Sequence, residues 1–310
     1  MAISRRPLSH WLLLFALVAM WGSSFALTKV AVTALAPEAV VAARLAIAAV
    51  VLAAVGLALG RRLPRGWRLW AYSAAMAVIG NALPFVLISW GQQGISSALA
   101  GILMAVMPLT TMVLAHVFVE GERMTPAKIA GFLVGFTGVV VLIGPEALLA
   151  LGGSRSALAS QLAVLGGTVC YAVNTILARR RPPADALATA AGVTVIAAVL
   201  MMPVAAAGGA PWPIDAPVPA LIAVGVLGIV STAVATVVYF RLIAAAGPSF
   251  LSQINYLIPV WAVGVGVAVM DERPEWSALG GLVLVLAGIA LSERGRAGPA
   301  APGAVTGSRR

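Results

Sequence analysis

Ten apolar runs, each about the length needed to cross a bilayer, dominate this 310-residue sequence. They fall at about 11–32, 37–59, 69–90, 95–119, 126–144, 158–178, 185–206, 217–242, 248–270 and 275–292, separated by helix breakers. A membrane-spanning helix takes roughly 20 mostly apolar residues. Composition agrees, with 61% hydrophobic residues, 10% charged residues and a mean hydropathy of +1.03. A soluble domain carries about 25% charged residues, so this chain would expose apolar surface it has no means to cover in water. The sequence predicts an all-α integral membrane protein with ten transmembrane helices. The first run, reaching Val32, is too long for the apolar region of a cleaved leader and is read as a span.

The net charge of +10 invites a nucleic-acid reading, but the charges are distributed by topology. With the N-terminus in the cytoplasm, sixteen of the twenty Lys and Arg residues fall on the cytoplasmic side, among them Arg61, Arg62, Arg65, Arg68 and Arg179–Arg181. The opposite side holds Lys29, Arg155 and Arg273, and Arg44 lies within a span. Removing one middle helix would place the later arginine clusters on the wrong side. The expectation is a multi-pass protein of the cell inner membrane with both termini cytoplasmic. A nucleic-acid partner is excluded in favour of the lipid bilayer and a small-molecule substrate. The oligomeric state is left open between monomer and homodimer.

The chain also repeats itself. Glu122-Arg123 recurs as Glu272-Arg273 at an offset of 150, as do Gly131 and Gly138 as Gly281 and Gly288. Trp21 and Lys29 correspond to Tyr171 and Arg179, and Pro108 to Pro259 after one residue of slippage. Five helices per half is an odd number, so the second half enters from the opposite face. The expected plan is two five-helix inverted-topology repeats. Its parts are a cytoplasmic N-terminus (1–10), a first repeat (11–144), a connecting loop (145–157), a second repeat (158–292) and a disordered cytoplasmic tail (293–310). In transporters such a plan puts the substrate site near the midplane between the halves; duplication that only enlarges a scaffold is the alternative.

These residues carry a resemblance. Trp21-Gly22-Ser23-Ser24-Phe25 with Lys29, and Arg44 in the second span, resemble the first two helices of the drug/metabolite transporter (DMT) superfamily, EamA type. Met107-Pro108 through Glu120-Gly121-Glu122-Arg123-Met124-Thr125-Pro126 to Gly131 and Gly138 is similar to its fourth and fifth helices, and Ile258-Pro259 through Glu272-Arg273 to Gly288 to a weaker second copy. The likeness covers about 11–292 and implies a ten-helix inverted-repeat carrier of metabolites, often an exporter, without fixing the substrate. The departures lie in the second half, where Tyr171 replaces Trp and the segment Asp271–Pro274 is short.

Polar side chains are penalised against lipid, so polar stripes at helical spacing are expected to face the bundle interior. The candidate substrate-binding residues are Trp21, Ser24 and Thr28 in the first span, Asn81 in the third and Met104 in the fourth. Tyr171 and Asn174 follow in the sixth span, Thr232 and Tyr239 in the eighth, and Ser252, Asn255 and Tyr256 in the ninth. Amides, hydroxyls and rings suit a neutral or zwitterionic organic solute; the alternative is that they only bond helix to helix. Lys29 and Arg44 are candidates for a charged gate or a substrate anchor, with pairing of Arg44 to Glu38 or to a helix C-terminus as the structural alternative. No Asp or Glu lies mid-span, which disfavours cation–proton exchange through a buried carboxylate.

No HExxH, phosphate-binding loop or Cys/His set is present, so no cofactor or metal is expected and an enzyme is disfavoured. His116 and the single Cys170 are in different halves and make no dyad. The expected function is an alternating-access secondary carrier, exporting amino acids or related zwitterionic or neutral compounds. An importer or exchanger of another class (sugar, nucleobase, vitamin or drug), a membrane-embedded enzyme and a channel are the alternatives. Direction and proton coupling stay open.

Overall fold

A computed structural model describes residues 7–60, 66–143, 155–180, 182–208 and 216–294. Its helices, in chain order, are α1 (Leu8–Val32), α2 (Pro37–Ala58), α3 (Trp67–Gly94), α4 (Ser97–Phe118) and α5 (Pro126–Ile143). Then come α6 (Arg155–Ala178), α7 (Ala186–Ala207), α8 (Val218–Ala246), α9 (Ile254–Met270, preceded by the turn Pro248–Leu251) and α10 (Trp276–Arg294). Among the described residues nine helices are long and apolar enough to span a bilayer, and α9 is an apolar helix of 17 residues. The expected runs match these to within a few residues. Most of the connecting loop and residues 295–310 of the tail lie outside the described residues.

Local chemistry sets the boundaries. Pro37 and Pro126 open their helices, where a missing N–H costs nothing. Asp185 caps α7 by accepting from Ala188 N at 2.8 Å, and Ser96 caps α4 through Leu99 N at 3.2 Å. Asp271, with φ of 55°, closes α9 in the left-handed region. Large apolar side chains such as Val199, Val269 and Trp276 point outward and are exposed, as lipid-facing residues are.

The helices are not uniform. α3 widens into a π-turn at Val78–Ala82 and α8 does the same at Ile229–Val234. Their first residues are 151 apart, the spacing that also separates Pro108 from Pro259. α4 breaks at Ala105–Val106, where Ala105 N and Val106 N bond three residues back, because Pro108 denies the carbonyl of Met104 its donor. α1 turns at Ser23, and a break at Ser252–Gln253 precedes α9.

Exchanging each helix for the one five places along maps most of the packing onto itself. α2 lies on α7, α4 on α9 and α5 on α10; α6 packs on α3 as α1 packs on α8. α6 meets α4 as α1 meets α9, and α7 meets α3 as α2 meets α8. The tightest approach joins α5 to α10 through glycines. A Cβ on Gly138 would sit 2.7 Å from the carbonyl of Gly281, and one on Gly281 would sit 2.7 Å from that of Gly138. Gly131 and Gly288 face each other in the same reciprocal way.

One part of the packing has no counterpart. The Ser24–Val32 half of α1 packs on Leu83–Gly94 of α3 and Ser97–Met104 of α4, whereas α6 makes no comparable contact with α8 or α9 among the described residues.

Because the two nearest atoms facing Gly138 are backbone, Gly138→Val must separate α5 from α10. The expected loss is about 1–3 kcal/mol, read as a lower thermal midpoint in detergent. Gly225→Ala, with open space at its Cβ, leaves the midpoint unchanged or raised; equal effects from both substitutions would refute the packing assignment.

Candidate functional site

Arg44 is the charge that needs an explanation. It lies in α2, retains 9% of its surface, and has no carboxylate at ion-pairing distance among the described residues. Its Nε donates to Thr232 Oγ1 on α8 at 2.8 Å, and its guanidinium stacks 3.8 Å from the ring centroid of Phe85 on α3. Thr232 is prepared for this by the π-turn. The widened turn leaves the carbonyl of Leu227 to take the Thr232 hydroxyl proton at 2.8 Å, so a lone pair faces Arg44. Glu38, the partner considered from sequence, instead packs its carboxylate on Gly208 at the end of α7.

Tyr171 of α6 closes the group. Its ring meets Phe85 edge-on with centroids 6.5 Å apart, and it lies within electrostatic range of Arg44. One turn along α6, Asn174 fills the notch above Gly80 in the π-turn of α3, where a Cβ would come within 2.8 Å of its Cγ. Its Oδ1 is buried with no partner among the described residues. Asn81, beside Gly80, is half-buried. Arg44, Tyr171 and Thr232 are thus gathered around Phe85 by α2, α3, α6 and α8, with Asn174 one turn along α6 from Tyr171.

The remaining candidates fall elsewhere. Trp21 and Tyr239 meet at a tilt, their ring centroids 5.7 Å apart, within the apolar cluster between α1, α8 and α9. Ser24 Oγ donates back to Trp21 O at 2.6 Å, and Thr28 is buried. Met104 accepts from Thr168 Oγ1 at 3.2 Å and packs with Tyr256 around the α4–α9 core. Asn255 and Tyr256 open α9, both half-buried, but Ser252 lies in the break before it, so the expected stripe is not one continuous helix face.

Lys29 is occupied by backbone. Its Nζ donates to the carbonyls of Gln92 at 2.7 Å and Ile95 at 2.9 Å, neutralising the negative end of α3. Across the same α3–α4 turn, Glu272 accepts from Ser97 N at 2.7 Å and Ala98 N at 2.8 Å with its two oxygens, capping α4. At the opposite end Glu122 pairs with Arg179 and Lys128, each at 3.3 Å and partly exposed. Exposed pairs of this kind are worth about 0–1 kcal/mol.

Four participants escaped sequence reasoning. Phe85 is one turn from Asn81 on α3, a spacing that could have flagged it. Glu272 was noticed only as a repeat marker. Gln92, fully buried, donates to Phe25 O at 2.9 Å, and Trp261 donates to Ser23 Oγ at 2.9 Å where α1 turns; neither had a signal beyond its residue type.

A model described as the EamA-like transporter family matches residues 9–144 and again 158–294. A probable terminal-alkyne amino-acid exporter of Streptantibioticus cattleyicolor is 30% identical over 76% of this chain and 77% of its own length. An S-adenosylmethionine/S-adenosylhomocysteine transporter of Chlamydia trachomatis is 31% identical over 84% and 81%. An uncharacterized transporter of Archaeoglobus fulgidus, 28% identical, is matched over about half of each chain, 45% of this one and 49% of that one. A solved crystal structure has the same fold, with a TM-score of 0.63 over 92% of this chain and 96% of that chain at 24% identity.

Glu272→Ala strands two amides of the first turn of α4. The expected cost is about 0.5–2 kcal/mol, read as a lower unfolding midpoint in detergent. Glu275→Ala, an exposed neighbour bonded to Ser277, stays within about 0.5 kcal/mol of the parent; an equal loss there would remove the capping role.

Proposed function

The chain belongs to the EamA-like transporter family, and on that premise we propose that it is an alternating-access carrier exporting amino acids or related zwitterionic or neutral metabolites. It is a multi-pass membrane protein, and its family and relatives are transporters. One observation carries the mechanistic reading: the unequal closure of the two bundle ends. Where Lys29 and Glu272 grip the α3–α4 turn, α1 seals against α3 and α4. At the other end the repeat-related Arg179 and Glu122 bond to each other near solvent, and α6 makes no comparable seal on α8 and α9.

Two halves of opposite orientation give a reason for this inequality. If the second half can adopt the conformation now held by the first, and the first that of the second, the seal moves from one end to the other. The double family match and the crossed glycine contacts of α5 and α10 support such a two-repeat plan. The arginine-rich end is assigned to the cytoplasm by the positive-inside rule, so the sealed end faces outward and the site is reached from inside. That arrangement suits loading for export.

The substrate class rests on chemistry. A solute entering between the halves meets one buried cation, several amides and hydroxyls, and aromatic rings, with no mid-span carboxylate to select a cation. The relatives named for an amino acid and for S-adenosylmethionine handle molecules that share an α-amino-acid end.

Reconstitution in liposomes with labelled amino acids, sugars and nucleobases tests the carrier. Saturable uptake with counterflow is expected; linear flux without counterflow would indicate a channel, and chemical conversion of a panel member an enzyme. In a Cys170→Ser background, Ala98→Cys with Gly266→Cys sets two Cβ atoms close together between α4 and α9 near the sealed end, and the reduced double variant is the control for the Glu272 carboxylate that the new side chain displaces. Oxidation is expected to reduce counterflow at least tenfold and reductant to restore it; undiminished exchange in the oxidised protein would defeat the moving seal.

A further inference from the structure

We infer that Arg44 and Asn174 are the two poles of a binding site for an α-amino acid, Arg44 taking the carboxylate and Asn174 the ammonium. The inference rests on the carrier reading above and adds the atoms that choose its passenger.

The guanidinium comes first. A charge within a span is costly, and such a residue ordinarily pairs with an opposite charge. Arg44 has a ring, one hydroxyl and a nearby phenol, but no carboxylate among the described residues. Thr232 occupies Nε, and the two terminal nitrogens have no hydrogen-bond partner among those residues. What remains is the end-on edge of the fork, two parallel N–H donors spaced for both oxygens of one carboxylate. The stack on Phe85 and the bond to Thr232 fix the plane of that fork from two helices. A passenger carboxylate would therefore meet a donor pair already oriented, and would supply the missing countercharge.

The second pole follows from the register of α6. Tyr171, beside Arg44, and Asn174 are three residues apart, so their positions differ by about 4.5 Å along the helix. Asn174 Oδ1, the atom of that side chain nearest the Gly80 position, is a buried acceptor with no partner among the described residues, so an ammonium would reach it from the side away from Gly80. An ammonium is a compact donor of three hydrogens. A carboxylate and an ammonium on one carbon, each reaching its partner across a hydrogen bond of about 2.8 Å, extend over a distance of that order, which is the separation of the two poles that the inference requires. The face of Phe85 is taken by Arg44, and the Tyr171 ring lies edge-on to it. A bare amine would be repelled by Arg44, and a bare carboxylate would leave Asn174 unsatisfied. Both selections come from groups already in place.

The experiment uses the full-length protein in proteoliposomes, with counterflow of each of the twenty amino acids measured first. For a transported aromatic or aliphatic member, competition is measured with its methyl ester, its decarboxylated amine and its deaminated acid. The amino acid is expected to compete at least tenfold better than the ester or the amine. Arg44→Gln and Arg44→Lys are expected to raise the half-saturating concentration at least tenfold, and Asn174→Leu to erase the preference for the amino acid over the deaminated acid. Ester competing equally with the amino acid on the unmodified protein overturns the inference without any variant, and saturable flux in the same vesicles leaves the carrier standing. Counterflow of sugars or nucleobases but of no amino acid also overturns it while sparing the carrier. Absence of saturable flux for the whole panel overturns both.

Discussion

In hydrocarbon a backbone amide has no water to fall back on, so its hydrogen bond must be made within the protein. Two irregular points in this bundle show how it is met. At the α3–α4 turn, the carbonyls of Gln92 and Ile95 are taken by Lys29, and the amides of Ser97 and Ala98 by Glu272. Where α8 widens, the Leu227 carbonyl takes the Thr232 hydroxyl. Each compensation draws a side chain from another helix or another turn. The points where helices depart from ideal geometry are therefore also the points where the bundle is cross-linked by polar contacts.

The fold was largely legible because that constraint writes itself into length. An apolar run of about twenty residues has one stable outcome in a bilayer, and prolines and glycines mark where it begins and ends. Gly131, Gly138, Gly281 and Gly288 were visible as a repeat, but their reciprocal contact needed the three-dimensional crossing of α5 with α10. The site was half legible. Arg44, Tyr171, Asn174 and Thr232 could be singled out because polar residues are rare in these spans. Their convergence, and the separate pairing of Trp21 with Tyr239, depend on which helices are neighbours, and periodicity along one helix carries no such information. The π-turns hid a further part: one extra residue per turn shifts the face that a stripe presents, so 3.6-residue spacing misplaces whatever follows. The break at Ser252–Gln253 did the same to the ninth span.

The two ends of the bundle hold charges that recur at one spacing in the sequence but make different contacts. Lys29 and Arg179 are repeat counterparts, as are Glu272 and Glu122. At one end the charges cap helix termini, contacts that water does not easily replace; at the other they face each other near solvent.

The π-turn of α8 has a consequence for how the halves of that helix are phased. It holds one residue more than an α-helix of the same rise, so the segment Ala235–Ala246 is rotated relative to Val218–Gly228 by roughly 100°, the angular step of one residue. The rotation lets one helix face Arg44 with Thr232 and, less than two turns later, face Trp21 with Tyr239. The turn thus serves as a phase shifter, aligning two neighbourhoods that a straight helix of this sequence would not address together. Its counterpart in α3 seats Asn174 on Gly80, which gives each half of the molecule one such adjustment beside the same group of side chains.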